Sequence, residues 1–219
     1  MNKTYITANN LSKSFEDKEI IKNLSFVINR GDLVKISGSN GAGKSTLLKI
    51  IARIYNQDSG EIKIEGKNIK SSSLSKSIIS YSSSDFVFYK DLTVKKNLIF
   101  YFNLIGENNS KELYEKNKRF LNLFEFENFY PQILSNGQKK KMNLFRALIP
   151  SFEIYLIDEP ENGLDDQSKI ELDEKLKLLS KKNTIIFTSH NSNSLSIYKK
   201  TTKGYWSQAS QNHGGSFSS

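Results

Sequence analysis

The fold of this chain is decided by the stretch Gly38-Ser39-Asn40-Gly41-Ala42-Gly43-Lys44-Ser45-Thr46. It has the pattern G-x-x-x-x-G-K-S, in which backbone N–H groups and a lysine surround phosphate groups. The short apolar stretch 33–37 before it predicts a strand, and residues 47–52 after it predict a helix. A strand, a glycine-rich loop and a helix in this order are the context in which the pattern binds phosphate.

Each residue type in this loop suits an anionic ligand. The glycines let the backbone adopt conformations that are closed to other residues, so that successive N–H groups can turn toward one anion. The first turn of the following helix adds unpaired donors and a partial positive charge. The ammonium group of Lys44 can reach the outer phosphates, and the hydroxyl of Ser45 can bind Mg²⁺.

Composition narrows the class of protein. The chain has 219 residues, of which 37% are hydrophobic, and this indicates a folded protein with one substantial core. It has no cysteine, which excludes disulfides, thiolate metal sites and a cysteine nucleophile. We expect no signal peptide and no membrane span, because no apolar run of about 18 residues occurs. The net charge of +9 comes mainly from scattered lysines, so we expect a solvated surface and no nucleic-acid partner.

Apolar periodicity predicts strands that alternate with helices. Alternating patterns predict half-buried strands at 3–8, 24–29 and 61–66, and continuous apolar runs predict buried strands at 78–81, 154–157 and 184–189. Helical spacing predicts helices at 93–105, 110–126, 138–149 and 166–180. We expect the aromatic-rich block 93–126 to form core rather than a ligand site. The whole pattern predicts an α/β fold with a mainly parallel sheet.

Two acids, Asp158 and Glu159, follow the buried strand 154–157. In proteins with a phosphate loop, the first acid of such a pair holds Mg²⁺ through water. The second acid could orient or deprotonate an attacking water. The alternative is an ordinary pair of helix-capping acids after a strand.

Two further places are candidates for anion binding. Ser135 and Gly137 lie at the start of a predicted helix, where a hydroxyl and free N–H groups suit an anion, although a plain helix cap has the same residues. His190 follows the strand 184–189 directly. A lone histidine is usually structural, but the carboxyl end of a parallel strand makes it a candidate for contact with a phosphate.

In this order, the motifs resemble the nucleotide-binding domain of ABC transporters, over about residues 3–190. The resemblance implies a signature motif at Leu134–Gln138, a Walker B strand at Ile154–Asp158 and a D-loop at Gly163-Leu164-Asp165. It implies catalytic roles for Lys44, Glu159 and His190, and Mg²⁺ binding by Ser45 and Asp158. It implies ATP binding by Phe15, which matches the aromatic that stacks on adenine, by Gly38, Ser39, Asn40, Gly41, Ala42, Gly43, Lys44, Ser45 and Thr46, and by Ser135, Gly137 and Gln138.

The resemblance also implies an architecture and partners. We expect a RecA-like P-loop NTPase core with a mainly parallel sheet, an antiparallel β subdomain and a helical subdomain at about 86–150. Residues 1–206 would form a single ABC ATPase domain, with a disordered tail at 207–219 and no regulatory domain after His190. Two such domains, as a homodimer or with a related ABC subunit, would bind ATP between them. The complex would be cytoplasmic, on the inner face of the membrane, with transmembrane permease subunits.

Three positions depart from the family pattern. Ser84 stands where the glutamine of the Q-loop is expected, Asn136 replaces the first glycine of the signature, and Lys141 stands where arginine is common. A serine is too short to replace the glutamine directly, which puts coupling or the hydrolysis rate in question. Two alternatives to a transporter ATPase stay open: a soluble ABC ATPase of the iron–sulfur assembly type, which also has a single cassette, and, because of Ser84, an ABC subunit that does not hydrolyse ATP.

Overall fold

The structure is a computed structural model of the chain, and it describes residues 4–71, 78–83, 87–189, 196–200 and 206–208. The strands, in chain order, are β1 (Thr4–Phe15), β2 (Lys18–Asn29), β3 (Leu33–Ser37), β4 (Ser59–Ile64), β5 (Lys67–Asn68), β6 (Ile79–Ser82), β7 (Ile154–Ile157), β8 (Thr184–Ser189), β9 (Ser196–Lys200) and β10 (Trp206–Gln208). The α-helices are α1 (Lys44–Ile51), α2 (Val94–Leu104), α3 (Ser110–Asn117), α4 (Asn136–Leu148) and α5 (Asp166–Leu179). No helix within the described ranges is long and apolar enough to cross a membrane.

The first sheet is antiparallel, with the strand order β2-β1-β4-β5. Strands β1 and β2 run well beyond the alternating patterns at 3–8 and 24–29, because their backbone pairing continues through several register shifts to a tight turn. The last pair of this hairpin joins Phe15 to Lys18. The hairpin therefore carries Phe15, the predicted adenine contact, at its tip.

The second sheet has the order β10-β9-β3-β8-β7-β6. Its four strands β3, β8, β7 and β6 are parallel, while β9 and β10 are antiparallel additions at one edge. The register places Ser37 beside Ser189 and Ser82 beside Ile157, so that the carboxyl ends of the four parallel strands meet at one edge. The phosphate loop leaves β3 at this edge and the acid pair leaves β7 there. This arrangement confirms the predicted α/β fold.

The tail predicted at 207–219 begins differently in the structure. Ser207 and Gln208 belong to strand β10, whose backbone pairs with β9. Their polar composition does not reveal this pairing, because backbone groups form it. Residues 209–219 lie outside the described residues.

Two hydrophobic clusters lie on the two sides of the parallel sheet. One joins the inner faces of both sheets to α1 and includes Leu47 and Leu48. The other joins α2, α3, α4 and α5 to the sheet, and it contains the ring contacts of Phe102 and Tyr114 with Phe145. Much of the aromatic-rich block is therefore core, as predicted, but Phe100, Leu104 and Phe124 are exposed. The helices predicted at 93–105, 138–149 and 166–180 are confirmed to within two residues at each end.

The helix predicted at 110–126 is wrong in its second half. Helix α3 ends at Asn117, and a 3₁₀ segment at Phe120–Glu125 contains Leu121 and Asn122 in left-handed conformations with φ of 55°. The N–H of Leu121 donates to the Glu171 carboxylate of α5 at 2.9 Å, and the Leu121 side chain is buried. This tertiary contact outweighs the helical spacing of the apolar residues.

Candidate nucleotide site

The phosphate loop closes around its own lysine. The Nζ atom of Lys44 donates to the carbonyl oxygens of Gly38 at 2.8 Å and Ser39 at 3.0 Å. Gly43, the residue before α1, has a φ of 91°, and a Cβ atom there would lie 3.0 Å from the carbonyl oxygen of Ile20. A side chain at this position would therefore meet both backbone strain and a steric barrier. The loop N–H groups, the start of α1 and the ammonium group of Lys44 are donors of the kind that bind phosphate oxygens.

An open pocket of about 220 Å³ lies over this loop, lined by Phe15, Ile20, Asn40, Gly41, Gly43, Lys44, Ser45, Thr46 and Glu159. The antiparallel sheet supplies one wall, and the parallel sheet supplies the loop and the acid. Phe15 is 41% exposed, and the ammonium group of Lys13 lies over its ring, 5.1 Å from the centroid. The ring of Tyr55 packs edge-on against Phe15, with 5.4 Å between centroids, and fixes its orientation.

The acid pair is held by a residue that the sequence analysis missed. Asp158 is only 1% exposed. The hydroxyl of Thr188 donates to Asp158 Oδ1 at 2.8 Å and accepts the N–H of Glu159 at 2.7 Å. Thr188 thus fixes both acids from the neighbouring strand β8. Its signal in the sequence was a polar residue near the end of an otherwise apolar buried strand.

Glu159 itself has an unusual backbone conformation, with a φ of 48°. Its carboxylate lines the pocket and accepts a hydrogen bond from Asn162 Nδ2 at 2.6 Å. A non-glycine residue in this conformation persists only where its surroundings enforce it, and such residues concentrate at functional sites.

The oxygen atoms available near the loop suit Mg²⁺. Ser45 lines the pocket, and Asp158 lies directly before Glu159 in the chain. Mg²⁺ in phosphate-transfer sites commonly binds one or two protein oxygens and completes its shell with water and substrate phosphates. Ser45 and Asp158 are therefore the oxygen donors that the chain would offer to such an ion, although Asp158 does not line the pocket and its Oδ1 accepts from Thr188.

The predicted signature motif forms a helix start. Ser135 Oγ accepts the N–H of Gln138 at 3.2 Å, and Gln138 Oε1 accepts the N–H of Ser135 at 3.0 Å. These reciprocal bonds form a capping box at the start of α4. Within one chain, the side chains of Ser135 and Gln138 therefore act as a helix cap, which was the alternative interpretation of this motif. Ser135, Gly137 and Gln138 are not among the residues that line the pocket.

The same helix start packs against the D-loop. A Cβ atom on Gly137 would lie 3.0 Å from the carbonyl oxygen of Gly163. Lys141 Nζ lies 2.7 Å from Asp165 Oδ2, so lysine forms an ion pair at the position where arginine is common. The hydrogen bond from Lys141 and the backbone N–H of Ser168 hold the pKa of the Asp165 carboxyl well below its usual range. Glycine at 137 thus permits a close backbone approach within the chain itself.

Two buried polar side chains of α4, those of Asn143 and Lys140, donate hydrogen bonds to groups at the carboxyl ends of β6 and β7. Asn143 donates to Ser82 Oγ at 2.8 Å and to the carbonyl oxygen of Ser83 at 2.9 Å. Lys140 is 6% exposed and donates from Nζ to the carbonyl oxygen of Asp158 at 3.1 Å. Burial lowers the pKa of Lys140, while the charges of Asp158 and Glu159 oppose that shift. Neither residue was a candidate from sequence.

The model of the ABC transporter family matches residues 21–162, a range that includes the phosphate loop, the signature and the acid pair. The chain belongs to the ABC transporter family. A protein of Clostridium tetani named as an ABC transporter ATP-binding protein is 34% identical over 180 residues, which are 80% of this chain and 40% of that protein. The uncharacterized ABC transporter ATP-binding protein YcbN of Bacillus subtilis is 31% identical over 195 residues, which are 85% of this chain and 62% of that protein. The chain therefore spans less than two thirds of the length of either relative.

A solved structure shows the same fold. It is an ATP-binding cassette described as a dimer in a post-hydrolysis state, bound to ADP and phosphate. It matches with a TM-score of 0.75 and 23% identity, over 85% of this chain and 88% of that chain. At this identity the likeness establishes the RecA-like ABC fold and nothing further.

The ABC fold brings most of the predicted site residues to one edge of the sheet. Phe15, six residues of the phosphate loop and Glu159 face one pocket, while Gly38, Ser39 and Ala42 form the base of the loop through contacts with Lys44 and with each other. His190 and Ser84 lie outside the described residues. Their roles, like those of the other site residues, remain predictions.

Proposed function

We propose that this chain is an ATP-hydrolysing subunit that powers an ABC transporter. The observation that carries the proposal is the pocket in which Lys44 of the phosphate loop and Glu159 of the acid pair face the same space. Family membership alone would fit a subunit that only binds ATP. A carboxylate beside the phosphate loop adds the group that hydrolysis needs.

In this proposal the phosphate loop, Gly38–Thr46, binds the phosphates of ATP through its N–H groups, and Lys44 leaves its carbonyl partners for the outer phosphates. Ser45 and Asp158 would hold Mg²⁺, which would supply positive charge to the phosphate oxygens. Glu159 accepts a proton from the attacking water. Thr188 keeps both acids in place, because its single hydroxyl contacts each of them. Phe15 stacks on the base, and His190 has the role of a phosphate contact.

A second subunit completes the site. Ser135, Gly137 and Gln138 do not face the pocket of their own chain, so we assign them to the ATP of a partner that is either a second copy or a related ABC subunit. The solved cassette of the same fold is itself described as a dimer. The chain would act as one ABC ATPase domain over 1–206, with 86–150 as its helical subdomain.

An apolar groove on the helical region supports the membrane partner. It has a volume of about 330 Å³ and is lined by Val87, Phe88, Tyr89, Asn97, Leu98, Phe100, Tyr101, Leu104, Met142 and Arg146. Val87 is 88% exposed and Leu104 is 69% exposed, which is unusual for adjacent large apolar side chains. We assign the groove to a cytoplasmic segment of the transmembrane subunit, which would hold the chain on the inner face of the membrane.

The test is ATP turnover by the purified chain with Mg²⁺. The wild type should release phosphate, and Lys44→Ala should lose both ATP affinity and turnover. Lys177→Ala is the matched control, because it removes the same charge from an exposed ion pair with Asp173 on α5. An Lys44→Ala variant that hydrolyses ATP at the wild-type rate would contradict the proposal.

A further inference from the structure

Helix α4 reaches the acid pair of its own chain through a buried lysine. Lys140 lies in the second turn of α4, two residues after the signature, and its ammonium group donates to the main-chain carbonyl of Asp158. That carbonyl belongs to the peptide unit between Asp158 and Glu159. The contact therefore fixes the link between the predicted Mg²⁺ ligand and the predicted base.

The peptide around this carbonyl is held from three elements. The N–H of Asp158 donates to the carbonyl oxygen of Ser82 on β6 at 2.8 Å. The N–H of Glu159 donates to Thr188 on β8, and the carbonyl of Asp158 accepts from α4. Of these three elements, α4 alone also carries the signature residues. A shift of α4 would therefore act on the acid pair directly through Lys140, and also on Ser82 of β6 through Asn143.

If Lys140 had only a structural role, a buried lysine would be an unfavourable choice for this position. Burial of an ammonium group is unfavourable, and a long apolar side chain of similar volume often replaces a buried ion without loss of stability. Methionine is such a side chain, because it is unbranched and adapts to irregular space. A lysine here gains a directed, charged donor, which methionine lacks.

We propose that Lys140 is a positioning residue for Glu159, and that it transmits the position of the signature helix to the acid pair of the same subunit. The inference rests on the proposed ATPase function. If the signature of one subunit contacts ATP bound to the other, this contact links nucleotide at one site to the geometry of the acids at the second. Lys140 itself touches neither ATP nor water in this role.

The test compares Lys140→Met with Lys175→Met, both measured for ATP affinity, turnover and thermal midpoint. Lys175 is a half-buried lysine on α5, near the ring of Phe120, so its replacement controls for the loss of a partly buried charge. We expect Lys140→Met to keep its ATP affinity and its thermal midpoint and to lose about tenfold or more in kcat, since small misplacements of a reacting group reduce rates strongly. Lys175→Met should leave kcat unchanged. Lys140→Arg, which retains a donor on a long stem, should recover part of the loss.

Two further measurements separate positioning from folding. In a Glu159→Gln background, Lys140→Met should have no further effect on residual turnover, because it acts through the base that is already absent. Hydrogen exchange should be faster at the amides of Asp158 and Glu159 in Lys140→Met and unchanged there in Lys175→Met. The same fold loss in both backgrounds, or a wild-type kcat in Lys140→Met, would overturn the positioning role.

Failure of the function and failure of this inference give different results. A wild-type chain that does not release phosphate contradicts the proposed function. The hydrogen-exchange experiment then tests the role of Lys140 without any measurement of turnover. Equal exchange rates at the amides of Asp158 and Glu159 in wild type and Lys140→Met overturn the inference. Faster exchange that is confined to Lys140→Met supports it. If Lys140→Met does not fold, Lys140→Gln, a shorter side chain without the charge, replaces it in the comparison with Lys175→Met and should lower kcat in the same direction.

Discussion

Replacement of Thr188 by valine tests how the acid pair is held. Valine keeps the shape of the side chain and removes the hydroxyl, which donates to Asp158 at 2.8 Å and accepts from Glu159 at 2.7 Å. Asp158 is buried and Glu159 is half-buried, so water does not freely replace the lost bonds. The substitution therefore acts on both acids without removing either of them.

The magnitude follows from these two bonds. A hydrogen bond to a charged group contributes about 1.5–3 kcal/mol, and a donor left without its partner in a buried setting costs about 1–3 kcal/mol. Because the site relaxes in part, we expect the free energy of unfolding to fall by about 2–4 kcal/mol, which lowers Tm by about 5–15 °C in a chain of this length. We expect kcat to fall by about 10–100-fold, because the base is no longer fixed relative to the loop.

Thr184→Val is a matched control on the same strand. Thr184 is buried at the opposite end of β8, and its hydroxyl accepts the N–H of Gly31 at 3.0 Å. Its replacement should lower the free energy of unfolding by about 1–3 kcal/mol through the loss of that one bond, with kcat unchanged. The assay is phosphate release at saturating Mg²⁺ and ATP, well below the Tm of both variants. Equal kcat values for the two variants would refute the assignment of Thr188 to the acid pair.

Two other predictions concern the pocket rim and the groove. Phe15→Ala should raise KM for ATP and GTP alike with little change in kcat, because stacking on an aromatic ring tolerates either base. Steady-state kinetics with both nucleotides measures this effect, and unchanged KM values would mean that Phe15 acts only in folding. Leu104→Asp should leave the ATPase activity of the purified chain unchanged and should shift the tagged protein from the membrane fraction of its own cells to the supernatant. Leu178→Asp, at another exposed leucine, on α5, should leave the protein in the membrane fraction. Identical fractionation of both variants would count against the groove as the docking surface.

The parts of the site that lie within one short stretch could be predicted from the sequence. The phosphate loop depends on local residue types, and the strands around it have clear apolar patterns. Asp158 and Glu159 were predicted to belong to the site because they follow a buried strand in a chain that has a phosphate loop. The pocket that Lys44 and Glu159 share agrees with that expectation.

The supports of the site could not be predicted in the same way. Thr188 reaches Asp158 because of the register between β7 and β8, and no local pattern fixes that register. Lys140 and Asn143 reach the sheet because α4 turns one face toward β6 and β7, yet their polar character suggested the exposed face of a helix. The error at 110–126 has a similar origin, since Glu171 lies 50 residues from the backbone that it holds.

The central claim is that Glu159 provides the base for ATP hydrolysis, and Glu159→Gln tests it most directly. The amide keeps the size of the side chain and its contact with the pocket, but it cannot accept the proton. With ATP affinity measured to be unchanged, phosphate release at saturating Mg²⁺ and ATP should fall by about 10²-fold or more. A Glu159→Gln variant that releases phosphate at the wild-type rate would contradict the account.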